Sequence, residues 1–125
     1  MSGRKTSGKP AGVREGMKKA TTEMLVLFLL KQKQMYTYEM MTTIEKLSDG
    51  IIQFNTLYQA IYRLKNFEFI AESDKVLSDE NRTRIYFKIT EEGEKYFSES
   101  VNEYRATVAA IEKILSSDGK IEPEA

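Results

Sequence analysis

Apolar residues recur at helical spacing from about Val13 to Gln32, through Met17, Ala20, Met24, Leu25, Phe28 and Leu29. The second half of this segment, Met24 to Leu30, is apolar on every side. A helix without a polar face must be covered from two directions, so its own domain can cover one side and something else must cover the other. A polar turn, Lys31 to Met35, leads to a second helix over Thr37 to Leu47. Thr37 suits the N-cap, Glu39 sits in the first turn where the helix dipole favours an acid, and Met40, Met41, Ile44 and Leu47 form the buried stripe. Asp49-Gly50 ends that helix. The spacing predicts a third helix beginning near Gln53 to Asn55 and running to about Asn66, with Leu57, Ile61 and Leu64 pointing inward. Its opposite face displays Thr56, Gln59, Tyr62, Arg63 and Asn66, flanked by Tyr58 and Lys65, and holds no acid between Asn55 and Phe67.

Two extended stretches follow. Phe69 to Ser73 reads as a strand, and Arg84 to Ile89, rich in β-branched and aromatic residues, reads as its antiparallel partner. Asp74 to Thr83 between them is a polar loop carrying Lys75 and Arg82. Thr90 then caps a final helix with Glu91 and Glu92 in its first turn. That helix carries the clearest pattern in the chain. Phe97, Val101, Tyr104, Val108, Ile111 and Leu115 alternate four and three apart, a heptad seam. At 1.5 Å per residue, roughly 25 residues extend about 38 Å, more than the rest of so small a domain spans. Most of the helix therefore cannot fold back onto its own core, and its narrow apolar seam is best covered by a second chain. The doubly apolar first helix supplies the complementary surface. The expected two-fold interface uses Met17, Met24, Phe28, Phe97, Val101, Tyr104, Val108, Ile111 and Leu115.

Three helices, a strand, a polar loop and a strand follow the order of a winged helix-turn-helix. The expected fold is α+β, three helices plus a two-stranded β wing, with a long C-terminal dimerisation helix. A chain of 125 residues is one domain. Its expected divisions are a disordered basic arm over 1–12, the winged domain over 13–90, the dimerisation helix over 91–116 and a disordered tail over 117–125.

Composition then removes whole classes of function. Without Cys there is no disulfide framework, zinc-thiolate site or nucleophilic thiol, and without His there is no imidazole base or Ser-His-Asp triad. Carboxylates, Lys and Tyr remain, but no motif ties them to a nucleotide- or phosphate-binding loop. No catalytic residue, metal or cofactor is expected. The apolar run from Met24 to Leu30 is far shorter than the roughly 20 residues needed to span a bilayer, so no membrane is involved and a cytoplasmic setting fits best. Net charge is zero, yet residues 1–90 hold fifteen basic and ten acidic side chains while 91–125 hold four and nine. The basic half is the half with the acid-free helix. Lys and Arg brought to DNA release condensed counterions, so that half is the one suited to a phosphate backbone.

Motifs sharpen this reading. Thr37-Tyr38-Glu39-Met40 resembles the Gly-Tyr-Glu-Leu stretch opening the second helix in the PadR family of bacterial transcriptional regulators. Asn55-Thr56-Leu57-Tyr58-Gln59-Ala60-Ile61-Tyr62-Arg63-Leu64 is similar to that family's Gly-Thr-Leu-Tyr-Pro-Ala-Leu-x-Arg-Leu recognition helix. Arg84 through Gly93 resembles its Arg-x-Tyr-Tyr-x-Leu-Thr-x-x-Gly wing strand and helix start. The likeness covers about residues 13–116, and the single C-terminal helix places the chain nearest the small subgroup that includes a lactococcal multidrug-sensing repressor. The resemblance implies a dimeric repressor that binds an inverted-repeat operator and lets go when an effector arrives. It also implies a hydrophobic channel for flat aromatic effectors at the dimer centre, with Met24, Tyr104 and Val108 as its wall. Phe54-Asn55 replaces the family's Pro-Gly, and Glu68 stands where Gly is usual. If position 68 needs positive φ, Glu68 carries strain of roughly 1 kcal/mol.

The expected contacts with double-stranded DNA are Tyr38, Asn55, Thr56, Tyr58, Gln59, Tyr62 and Arg63 around the recognition helix, and Lys75, Arg82 and Arg84 on the wing. Arg14, Lys18 and Lys19 at the start of the first helix would grip phosphates. Tyr58 has packing as an alternative, and Arg63 has an ion pair with an acid on helix two. Asp74, Asp79 and Glu80 weaken the wing's attraction to phosphate. Those acids and the overall neutrality support one rival reading, a winged-helix adaptor that binds a protein and not DNA.

Overall fold

The computed structural model describes residues 8–77 and 79–122. In chain order it forms α1 (Ala11–Gln32), β1 (Met35–Tyr36), α2 (Thr37–Leu47), α3 (Tyr58–Asn66), β2 (Ile70–Leu77), β3 (Thr83–Ile89) and α4 (Glu91–Leu115). The apolar half of α1 runs through the middle of the molecule. Val26, Leu27, Leu29 and Leu30 cluster there with Met40 and Ile44 of α2, Ile61 and Leu64 of α3, and Ile70 and Phe87 of the sheet. Each fully buried Leu or Met contributes about 1.5–3 kcal/mol, so this cluster is what orients α3. Leu57, the residue before α3, is as deeply buried as Leu64 within it.

The boundaries of α2 and α4 fall where the periodicity puts them. Elsewhere the structure corrects the sequence reading. The supposed turn at Lys31 to Met35 ends in a strand, and the antiparallel sheet has three strands in the order β1-β3-β2, not two. Met35 pairs with Phe87 and Tyr36 with Tyr86. A two-residue strand is too short to display alternation, so nothing local announces it. The wing strands run on past Ser73, with Lys75, Val76 and Leu77 opposite Ile85, Arg84 and Thr83. A bulge between Glu72 and Lys75 absorbs a register shift, and the loop expected over Asp74 to Thr83 is strand as far as Leu77 and again from Thr83. Helix α3 starts at Tyr58, later than Gln53 to Asn55, because the Thr56 hydroxyl accepts the Tyr58 N–H at 3.1 Å in a local turn. Thr37 is the first helical residue of α2 and not its cap; Tyr36 holds that position without a side-chain bond. Leu47, expected inside, is 66% exposed. Of the arm expected over 1–12, residues 1–7 lie outside the described residues, and Ala11 and Gly12 open α1. Of the tail, 123–125 lie outside them, while the Lys120 N–H bonds the Ser117 carbonyl in a turn.

Helices α2 and α3 end in the same device. At α2, Gly50 N–H reaches Glu45 O and Asp49 N–H reaches Lys46 O; at α3, Phe69 N–H reaches Leu64 O and Glu68 N–H reaches Lys65 O. This paired bonding is a Schellman motif, which needs a left-handed residue just past the helix, usually Gly. Here acids occupy it, Asp49 at φ 53° and Glu68 at φ 62°. Asn55 does not take a positive φ despite its place in the motif.

The turn after α3 is joined to the start of α4. The Thr90 hydroxyl donates to Glu68 O at 2.7 Å, Thr90 N–H donates to Phe69 O at 3.0 Å, and Gly93 N–H donates to the Thr90 hydroxyl at 3.0 Å. Gly93 is buried, and a Cβ there would lie 2.1 Å from Phe69 O. Glycine therefore lets α4 rest directly on the α3–β2 turn.

Candidate nucleic-acid interface

Burying Ala60, Ile61 and Leu64 of α3 turns its other side to solvent. Tyr58 is 73% and Tyr62 59% exposed, and Tyr38 at the start of α2 is 66% exposed beside them. Exposure of this degree removes packing as the reading of Tyr58. Thr56, Gln59 and Asn55 are exposed as well. Between α3 and the wing lies an open groove of about 840 Å³. Tyr38, Thr56, Tyr58, Tyr62 and Lys65 line one wall, and Arg82, Thr83, Arg84 and Ile85 the other.

Charges around this groove hold its walls in place. Lys65 bonds Glu72 at 2.7 Å, tying α3 to β2, and that ammonium holds the Glu72 carboxyl below its ordinary pKa. Lys33 pairs with Glu39 at 2.8 Å and is raised by it, which ties the end of α1 to α2. Arg63 is paired at 2.5 Å, but with Glu23 of α1 and not with an acid on α2. Its sequence neighbours gave no sign of that partner, forty residues away along the chain. Arg84 lies with its guanidinium carbon 4.6 Å from the centre of the Tyr36 ring, with the Glu80 carboxylate 3.7 Å away.

Outside the groove, Arg14 and Lys19 are exposed on the early turns of α1. Lys18 is drawn in. Its side chain is 17% exposed, 5.1 Å above the Phe54 ring and 3.5 Å from Glu15, so it braces the loop before α3. Lys75 is exposed on β2 and does not line the groove.

A second groove of about 660 Å³ separates α1 from α4. Met24, Tyr104 and Val108 line it together with Met17, Ala20 and Ile111. Tyr96, Glu99 and Glu103 are also in the wall, and the heptad spacing does not show them because they lie off the seam. Phe28, Phe97 and Val101 face a separate, smaller hollow with Met24 and Tyr104, and the two phenyl rings touch at 6.2 Å. Leu115 projects from the far end of α4, 63% exposed. Tyr36 has no signal in the periodicity, since it belongs to a two-residue strand. Among the described residues no group of acids could hold a metal ion.

Comparison with known proteins identifies the fold. Residues 26–99 match the profile of the PadR-like transcriptional regulators. A transcriptional regulator from Clostridium thermocellum superposes with a TM-score of 0.71 at 28% identity, covering 78% of this chain and 96% of that one. A Streptococcus transcriptional regulator gives 0.65 at 26% identity over 78% and 95%. A PadR-like regulator from Bacillus cereus, at 21% identity and a TM-score of 0.66 over 80% and 96%, shares the fold. The search of curated proteins found no match. Regulators of this kind bind DNA and are not enzymes. The family profile covers more than half of the sequence, and the chain belongs to the PadR-like family of transcriptional regulators.

Proposed function

We propose that this regulator is a repressor that binds a pseudo-palindromic operator as a homodimer and is released by a small hydrophobic or aromatic effector. The observation that carries the reading is the acid-free outer face of α3, presented beside Arg82 and Arg84 across one groove. Tyrosine hydroxyls, Thr56 and Gln59 are suited to base edges, and arginines to phosphates. Two copies joined through α1 and the α4 seam would hold two such helices about one turn of B-form DNA apart, roughly 34 Å. As a regulator bound to DNA it is proposed to act in the cytoplasm; no described helix is long and apolar enough to cross a membrane.

The α1–α4 groove is the effector site in this reading. Tyr96 of that groove stacks on Phe69 with ring centroids 4.5 Å apart, and Phe69 belongs to the turn that ends α3. A ligand that moves α4 therefore pushes on the recognition helix through Phe69 and the Thr90 bonds. Such a ligand must bind the DNA-free arrangement better, and a tenfold loss of operator affinity takes about 1.4 kcal/mol of coupling.

The adaptor reading draws on Glu72 and Glu80, which also line the α3–wing groove. Selecting bound sites from random duplexes, then titrating the winning duplex with salt, separates the two. A palindromic consensus whose affinity falls steeply with salt is the expected result. Failure to enrich any sequence, with salt-insensitive or absent binding, would favour the adaptor.

A further inference from the structure

We propose that Tyr36 is a positioning residue for DNA binding, holding the Arg84 guanidinium ready for a phosphate; this rests on the DNA-binding reading of the α3–wing groove. Arg84 springs from β3 at the level of Val76, on the exposed half of the wing, where a long side chain would otherwise sample many rotamers. It does not roam. Its guanidinium carbon lies 4.6 Å from the Tyr36 ring centre, and both residues line the groove faced by Tyr58 and Tyr62. Tyr36 is itself fixed twice over. Its backbone pairs with Tyr86, and its ring meets the Tyr86 ring edge-on at 5.3 Å.

Glu80 is the competing partner, and at 3.7 Å it is at ion-pair and not hydrogen-bond distance. The guanidinium therefore sits over the tyrosine ring, with the Glu80 carboxylate at ion-pair range of one of its nitrogens. A planar cation stacked on an aromatic face and still able to donate in its own plane is the form in which arginine grips phosphate. Ordering the side chain before binding removes an entropy cost that would otherwise fall on the complex. The same arrangement gives β1 a purpose beyond closing the sheet: it delivers the ring that the wing arginine needs.

The test is a double-mutant cycle on the selected operator duplex, read as affinity and as the slope of log affinity against log salt. Tyr36→Leu should weaken binding about threefold to tenfold and flatten the salt slope toward that of Arg84→Gln. In the Arg84→Gln background the same substitution should do nothing further. Tyr36→Phe, which keeps the ring, should behave as wild type; near-native circular dichroism and melting would establish folding for each variant. Additive losses, an unchanged slope, or Tyr36→Phe as damaging as Tyr36→Leu would overturn the proposal and leave the DNA-binding reading standing. A wild-type protein that binds no duplex would remove both.

Discussion

Glu68 spends its folded life in a conformation that L-amino acids avoid. Its φ of 62° closes the Schellman motif at the end of α3. A left-handed residue with a Cβ costs about 1–2 kcal/mol, while glycine in the same place loses more freedom on folding, about 0.5–1 kcal/mol. Glu68→Gly should therefore gain roughly 0.5–1 kcal/mol and raise Tm by a few degrees. Glu68→Ala keeps the Cβ and should gain nothing; equal gains from both would mean that backbone strain is not the cause. Gly93 is the opposite case, at an ordinary φ but with no room. A methyl placed 2.1 Å from Phe69 O has to push main chain aside, and Gly93→Ala should cost about 2–3 kcal/mol in denaturant unfolding. A loss under about 0.5 kcal/mol would show that α4 can ride up without penalty.

At the scale of elements, α3 is held by its neighbours more than by its own nine residues. Its apolar face lies on α1, Arg63 reaches Glu23, and Lys65 reaches Glu72 across to the sheet. The last pair makes a pH prediction. Lys65 lowers the folded pKa of Glu72 from its ordinary 4.5, so the folded protein holds that proton less readily than the unfolded chain. The stabilisation is complete above about 4.5 and disappears as pH falls through the lower folded value. Melting temperatures of wild type and Glu72→Gln should differ most near neutrality and converge in acid, whereas a gap that stays constant would clear the pair of any such role. The two long-period elements were legible in the sequence because each rests on repetition, α4 on its heptads and α1 on its apolar run. Thr90 was legible as a cap for a local reason, its hydroxyl three residues before Gly93. What stayed hidden is non-local. Tyr36 becomes a strand residue only because Tyr86 lies opposite, and Glu23 becomes the Arg63 partner only because α1 crosses α3. The contents of the α3 face could be read in advance, but not the supports behind it.

For the whole molecule, the decisive question is what covers α4. Gly93 is its sole buried residue; Ile111, Ile114 and Leu115 stand in solvent in the single chain, at 49%, 70% and 63% exposure. Since Ile111 contributes little to its own protomer's core, a charge placed there should leave the protomer folded. If a second copy covers the seam, Ile111→Glu buries an unpaired carboxylate at the interface, a cost that dissociates the dimer. The variant should then sediment as a folded monomer at micromolar concentration. Its affinity for a duplex carrying two half-sites should fall about a hundredfold or more, because the second recognition helix no longer arrives tethered to the first. Binding to an isolated half-site should barely change. An unaltered sedimentation profile would place the true partner of the seam elsewhere. A monomeric variant that kept full-site affinity would mean that α4 does not set the spacing of the DNA-reading helices.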